Sequence, residues 1–364
     1  MIKKALIILF CILFCAFPLV SCGNVQEKYE MIINSELLYG RDILSTMPNS
    51  KALIYAYDNI VVGVNKSLKE IPVSDSTHHI SKDELEVVVD IYTRDHIEHF
   101  WFGNAYEYSF NDQTVVSLKP NYIMSGSSLE KAKHKLEERV VKLLEGITSS
   151  LSEYEKELLI HDILAQNTVY KEAKNAHNLY GAIVEGKAVC EGYTEALQYL
   201  LNRAGISSFK ISGYSKNPSG SSSESESHAW NLVRIDGEFY HVDLTWNDQE
   251  NQIYHAYFNV TDTVILRDHQ ITPTTYQLPT CNLEDANYFI KSGTRVKNYT
   301  VDSIVALFDK SKTVSFYIDG DKEAFLSWYK NNITSIAKKL GIKGSFEYSS
   351  KSLGNEIVLT IITE

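Results

Sequence analysis

The sequence predicts an α+β fold in which a cysteine at the start of a helix packs against an antiparallel sheet, and three observations carry that expectation. Cys190 stands just before a helical pattern, Thr194 to Arg203, with Ala196, Leu197, Leu200 and Leu201 at helical spacing and Gly205 as its stop. Ala229 to Ile235 and Glu238 to Leu244 are apolar-rich strands separated by Asp236-Gly237, a strong hairpin signal. On both sides of this centre helical and strand patterns mix, with no internal repeat.

At 364 residues the chain exceeds what one ordinary core serves, so two or three domains are expected. Its 44% hydrophobic and 22% charged residues are those of a folded globular protein. The start differs: Lys3 and Lys4 precede an apolar run from Ala5 to Phe17, and Leu19-Val20-Ser21-Cys22 has the form of a lipoprotein cleavage box. Residues 1–21 therefore read as an export signal, Cys22 as the lipidated residue and 22–34 as a tether, which implies a lipid-anchored protein on the outer face of a membrane. A plain secretory signal that leaves Cys22 free is the alternative. The apolar run is too short and wrongly flanked for a permanent spanning helix.

Cleavage there removes two lysines and no acids, taking the formal charge from −11 to −13. So acidic a surface repels phosphate backbones and argues against nucleic acid binding. Of five cysteines, Cys11 and Cys15 leave with the signal and Cys22 is acylated. Cys190 and Cys281 remain; they are too few for a cysteine-rich metal site, and in an exported chain a disulfide between them is the structural alternative for Cys190.

Residues 35–125 are expected to form a small α/β domain. Ala52 to Leu68 has helical spacing, Ser81-Lys82-Asp83-Glu84 is a capping box opening a second helix, and two strands, Tyr106 to Phe110 and Thr114 to Leu118, flank Asn111-Asp112. The core, 126–280, begins with a helix from Leu129 to Leu144 and another capped by Ser152 with Glu155, then a polar loop from Lys174 to Leu179. A strand from Ser208 to Tyr214 precedes the serine-rich stretch Lys216 to Ser227, which is a surface loop or a flap over the site. Residues 281–364 are expected as a separate α/β domain: helix Val301 to Leu307, strand Thr313 to Ile318, helix Lys322 to Leu340, and strands Gly344 to Tyr348 and Asn355 to Ile362.

With Asp236 and Gly237 as the two loop residues, Ile235 opposes Glu238. Counting outward puts Trp230 opposite Asp243 and His228 opposite Thr245, so His228, Trp230 and Asp243 share a face and His228 and Asp243 are diagonal neighbours. A cysteine attacks a carbonyl only as thiolate; it needs a base, and the base needs a group to hold its tautomer. Cys190 in a first helical turn, where free N–H groups and the positive dipole end favour a thiolate, then His228 and Asp243, supply all three. His241 lies on the same strand face as Asp243 and competes with His228 for this role. His96, Glu98 and His99 are weak metal-ligand candidates, and Trp230 and Trp246 are cleft walls or core.

The order, spacing and neighbours of Tyr180-Gly181-Ala182, Gly192-Tyr193, His228-Ala229-Trp230 and Asp243-Leu244-Thr245-Trp246 resemble the transglutaminase-like superfamily, relatives of papain in architecture, over about Leu158 to Asp248. The chain is also similar to surface lipoproteins of clostridial type that set such a core between two accessory domains. The resemblance implies Cys190 as nucleophile, His228 as base and later acid, Asp243 as its orienting group, and a protein or peptide amide as substrate. Water as acceptor makes a peptidase or amidase, a lysine amine makes a crosslinking acyltransferase. Animal transglutaminases place a tryptophan before the cysteine to hold the oxyanion; here none lies between Trp101 and Trp230, so Tyr180 or Asn178 is the expected second donor. No loop has calcium-site spacing, and no cofactor is implied. A non-catalytic binding protein on the same scaffold and a hydrolase of peptidoglycan peptides, with cell-wall contact, are the alternative readings.

Overall fold

The structure, a computed structural model, describes residues 37–216, 225–249, 252–308, 312–343 and 346–363. The signal, Cys22 and the tether lie outside these residues, as does most of the serine-rich stretch. Among the described residues no helix is long and apolar enough to cross a membrane.

Helices α1 (Tyr39–Thr46), α2 (Ser50–Asn65) and α3 (Lys82–Asp95) accompany a three-stranded antiparallel sheet of β1 (Ile71–Pro72), β2 (Phe102–Asn111) and β3 (Thr114–Tyr122), in which β3 is central. The expected capping box opens α3: the Ser81 hydroxyl accepts from the Glu84 amide while the Glu84 carboxylate accepts from the Ser81 amide. This region shares one apolar core with the segment C-terminal to it. Ile43, Tyr57 and Leu85 belong to the same buried cluster as Leu136, Leu197 and Val260, so the core runs unbroken across residue 125. Polar ties reinforce it: Arg94 donates to the Lys210 carbonyl at 2.8 Å, and the Gln198 amide donates to the Arg94 carbonyl at 2.6 Å.

Next come α4 (Gly126–Leu143) and α5 (Glu153–Asn167), the latter with the Ser152–Glu155 capping box. Strand β4 (Val169–Tyr170) runs parallel to β5 (Lys187–Ala188), with a π-helical turn at Gly181–Glu185 between them, and β5 leads into α6 (Cys190–Arg203). Leu197, Leu200 and Leu201 of α6 are fully buried, each contributing about 1.5–3 kcal/mol. Packing of this strength holds the helix in place with its first residue at the surface end.

A four-stranded antiparallel sheet receives α6. Its strands are β6 (Ser208–Lys216), β7 (Ser225–Ile235), β8 (Glu238–Val242) and, after α7 (Leu244–Asn247), the short pair β9 (Asp248–Gln249) and β10 (Gln252–Ile253) and α8 (Asp262–Ile265), the edge strand β11 (His269–Ile271); the order is β11-β6-β7-β8. The hairpin has the expected register, Ile235 facing Glu238 and Asn231 facing Val242. It stops two residues earlier than expected. Asp243 turns out of the ladder to cap α7, its side chain accepting from the Trp246 amide, so Thr245 lies in a helical turn and not opposite His228.

The last part has a core of its own, including Ile304, Phe316, Phe325, Ile336 and Ile361. It comprises α9 (Tyr288–Lys291), β12 (Arg295–Val296), α10 (Val301–Leu307), β13 (Thr313–Ile318), α11 (Lys322–Lys339), β14 (Phe346–Leu353) and β15 (Glu356–Thr363), with sheet order β12-β13-β15-β14. It is fastened to the rest at Glu356, whose buried carboxylate accepts from the His255 amide and the Ser315 hydroxyl, each at 2.6 Å. Leu353 and Val358 of its terminal hairpin belong to the main core.

Candidate active site

Cys190 lies half-buried at the first position of α6, and the helix is fixed laterally to β7 by Asn231, whose carboxamide donates to the Thr194 carbonyl at 3.1 Å. Gly192, in the same first turn, is needed for the approach of the preceding loop. A β-carbon there would stand 2.2 Å from the Ala176 carbonyl oxygen, so only glycine lets the segment before the cysteine close against the helix start.

His228 projects from β7 beside Cys190. Its Nε2 meets Asp243 Oδ2 at 2.8 Å, and because an ionised carboxylate only accepts, Nε2 carries the proton. Nδ1 is thereby left unprotonated in the neutral ring, and His228 and Cys190 line one cleft, where the charge of the sulfur acts on the imidazole. Burial alone would push His228 down, but the Asp243 carboxylate, its hydrogen bond and the Cys190 sulfur outweigh burial and bring it up to about 10. Asp243 is fully buried; burial pushes it up, and the two imidazoles on it, His228 and His269, hold it well below the usual carboxylate range. A thiol, an imidazole of fixed tautomer and a buried carboxylate in this sequence of contacts can transfer the thiol proton and stabilise the resulting imidazolium.

The thiol faces a cleft of about 540 Å³ lined by Tyr170, His228, Trp246, Asp248 and, from the C-terminal part, Lys322 and Leu353. Trp246 is thus a cleft wall, its ring 5.9 Å from that of His228. Trp230 is core: it is buried, stacks at 6.0 Å on His228 and donates its Nε1–H to His241 Nδ1 at 3.0 Å. That bond, with His241 Nε2 on Asp262 at 2.9 Å, turns His241 away from Cys190 and leaves His228 as its imidazole partner. Cys281 is a buried free thiol whose amide donates to Asp262, and it is not joined to Cys190.

The structure corrects the expected second oxyanion donor. Asn178 turns its side-chain oxygen onto the Tyr180 and Gly181 amides and lines a different cavity on the other side of the α6 start, while Tyr180 stacks on Phe100 at 5.4 Å. The loop closes locally around its own backbone, so neither side chain lines the Cys190 cleft. The phenol that does is Tyr170, raised first by burial and then by the charge of Cys190, and stacked at 6.4 Å on Tyr193.

His96, Glu98 and His99 do come together in the N-terminal part, but as a hydrogen-bonded set. His96 Nδ1 meets Glu98 at 2.7 Å and its Nε2 meets the Tyr57 hydroxyl at 3.0 Å; His99 meets Tyr92 at 2.6 Å and Asn65 at 3.1 Å. Each ring nitrogen has a protein partner that a cation would have to displace.

Sequence reasoning missed His269 and Tyr170. His269 Nε2 lies 2.9 Å from Asp243 Oδ2, the same oxygen that holds His228, and its Nδ1 lies 2.7 Å from Asp268. The neighbouring pair Asp268-His269 was the available signal.

The site thus joins a buried imidazole–carboxylate pair to a cysteine at a helix start, with the helix laid on an antiparallel sheet. Residues 141–244 match the family model of the transglutaminase-like superfamily. Among solved structures the chain is similar to a TGase, at 17% identity over 40% of this chain and 45% of the other, TM-score 0.27. It is also similar to a candidate cysteine protease from Cytophaga hutchinsonii, at 15% identity over 39% and 54%, TM-score 0.26. A third is a candidate protease from Parabacteroides distasonis, at 11% identity over 72% and 63%, TM-score 0.23. The chain spans about half the length of the first two. No curated protein matches the chain.

Proposed function

We propose that this protein is a thiol enzyme acting on protein or peptide amide bonds through a cysteinyl acyl-enzyme, with Cys190 as nucleophile, His228 as base and then acid, and Asp243 as the group that orients His228. The observation that carries this reading is that Cys190 and His228 line one open cleft while the buried Asp243 carboxylate holds His228 Nε2 at 2.8 Å. With the thiol proton already resting on the imidazole as imidazolium, the thiolate sulfur bonds to the carbonyl carbon and the carbonyl π pair moves to oxygen. The Cys190 amide, in a first turn without an intrahelical acceptor, and the Tyr170 hydroxyl are the donors we assign to that oxygen. Collapse breaks the C–N bond and the His228 proton leaves with the amine. Water then gives a peptidase or amidase, and a lysine amine gives an acyltransferase.

The N-terminal residues support export and lipidation at Cys22, which would hold the enzyme on the outer membrane face within reach of surface proteins and wall peptides. A Cys22→Ser variant should then be released into the medium. For the chemistry, iodoacetamide at neutral pH should modify Cys190 faster than free cysteine, and Cys190→Ala should abolish that reaction. Incubation with casein plus a fluorescent amine, and with intact wall, separates proteolysis, crosslinking and wall hydrolysis. A wild-type Cys190 that reacts no faster than free cysteine would overturn the proposal.

A further inference from the structure

Asp243 serves two imidazoles with one oxygen. His228 Nε2 at 2.8 Å and His269 Nε2 at 2.9 Å both point at Oδ2, while Oδ1 accepts from the Trp246 amide at 3.1 Å. The two rings are 5.4 Å apart. His269 is itself held between two carboxylates, because Nδ1 meets Asp268 Oδ1 at 2.7 Å, and Asp268 Oδ2 accepts from the Tyr257 hydroxyl at 2.6 Å. The result is a hydrogen-bonded chain from His228, beside Cys190, through Asp243, His269 and Asp268 to Tyr257. Asp268 lines a second surface cavity next to the cleft, so the chain reaches the surface there as well.

Since the ionised Asp243 and Asp268 carboxylates only accept, His269 satisfies both by carrying protons on Nδ1 and Nε2 together, as an imidazolium. A second cation on Asp243 has a definite effect on the first. It shares the carboxylate's charge and repels a proton on His228, opposing the attraction that Asp243 exerts on that proton.

We propose that His269 is a positioning residue that fixes the Asp243 carboxylate and, as an imidazolium, limits how tightly Asp243 holds the proton on His228. The proposal rests on the assigned Cys190–His228–Asp243 set but concerns the electrostatics of His228, which can be read without substrate. The titratable groups facing His269 are Asp243 just after β8, His241 on β8, Asp268 on its own segment, His228 from β7 and the Tyr257 hydroxyl; Trp230 and Trp246 pack on it at 5.0 and 4.4 Å and contribute no charge. The directions agree: burial pushes His269 down, both carboxylates raise it more, and His228 lowers it.

The test is an NMR titration of the ring-labelled histidines in the full chain, comparing wild type with His269→Gln and Asp268→Asn, each checked for fold by circular dichroism. His269→Gln keeps an amide donor toward Asp243 without the charge, and the His228 inflection should move upward by roughly half a pH unit or more. Asp268→Asn, on the exposed side, removes the charge that helps hold the second proton and should move His228 the same way by less. An unchanged or lowered His228 inflection in folded His269→Gln overturns the proposal; should that variant not fold, an unchanged or lowered inflection in Asp268→Asn does so. Alkylation of wild-type Cys190 is followed alongside. Slow alkylation with the titration shift present refutes the enzyme reading alone, and fast alkylation without the shift refutes the role of His269 alone.

Discussion

The Trp230 ring lies over Gly213, with its nearest carbon 2.9 Å from where a β-carbon on residue 213 would stand. Gly213 is the β6 partner of His228, and the Gln270 carbonyl oxygen of β11 approaches the same point to 2.1 Å. The glycine lets three strands and an indole converge behind the imidazole. Gly213→Ala should therefore cost about 1–3 kcal/mol in urea unfolding by overpacking and slow iodoacetamide at Cys190, because Trp230 is stacked on His228. Wild-type stability in this variant would refute the packing argument.

The pairing of His228 and Asp243 should set a pH window of stability. His228 is raised from 6.5 to about 10, so its contribution is complete below about pH 6.5 and is lost as pH rises through about 10. Asp243 is depressed from 3.8, so its contribution is present above that value and fades as pH falls toward its folded one. In His228→Gln the unfolding free energy should fall less than in wild type over the alkaline range, and Asp243→Asn should lower turnover on the order of a hundredfold or more. Parallel stability curves for wild type and His228→Gln would contradict the first of these.

Glu157 offers an independent alkaline effect from a site unconnected with the thiol. Fully buried in α5, it accepts from Asn259 at 2.6 Å through Oε2, and Oε1 has no partner among the described residues. Burial pushes its carboxyl up to about 8, which Asn259 only partly offsets. A raised acid favours the protonated folded state, so stability is lost as pH climbs from about 4.5 through about 8. Glu157→Gln, permanently neutral, should be more stable than wild type at about pH 9 and show a flatter profile across that interval. Calorimetry at several pH values measures this directly.

Tyr170→Phe should lower kcat on the order of a hundredfold with little change in KM, as removal of an oxyanion donor does. Alkylation of Cys190 by iodoacetamide builds no oxyanion and should be spared. Equal turnover by the phenylalanine variant would leave Tyr170 as a cleft wall only.

The features legible in the residues are those set by local forces. The Ser81 and Ser152 caps, the Asp236-Gly237 turn and the start of α6 at Cys190 depend on neighbours within a few positions, and the hairpin register then brings His228 near Asp243 by counting alone. The end of β8 escaped that count because Asp243 has a tertiary task and a local one: it anchors two imidazoles while capping α7. Tyr170 and His269 escaped because β4 meets the cleft by pairing with β5, and β11 meets Asp243 by pairing with β6. Asn178 and Tyr180 looked suitable by nearness in sequence to Cys190, but the loop folds onto its own amides. The share of the N-terminal helices in the main core was hidden for a similar reason, since Arg94 and Gln198 are 104 positions apart.

Gly354 and Leu353 reach the cleft from the tip of the C-terminal hairpin, whose sheet has its own hydrophobic centre although Leu353 itself is seated in the main one. One bank of the trench therefore comes from a part of the sequence well beyond the sulfur, imidazole and carboxylate, and the shape of the opening is set jointly by both.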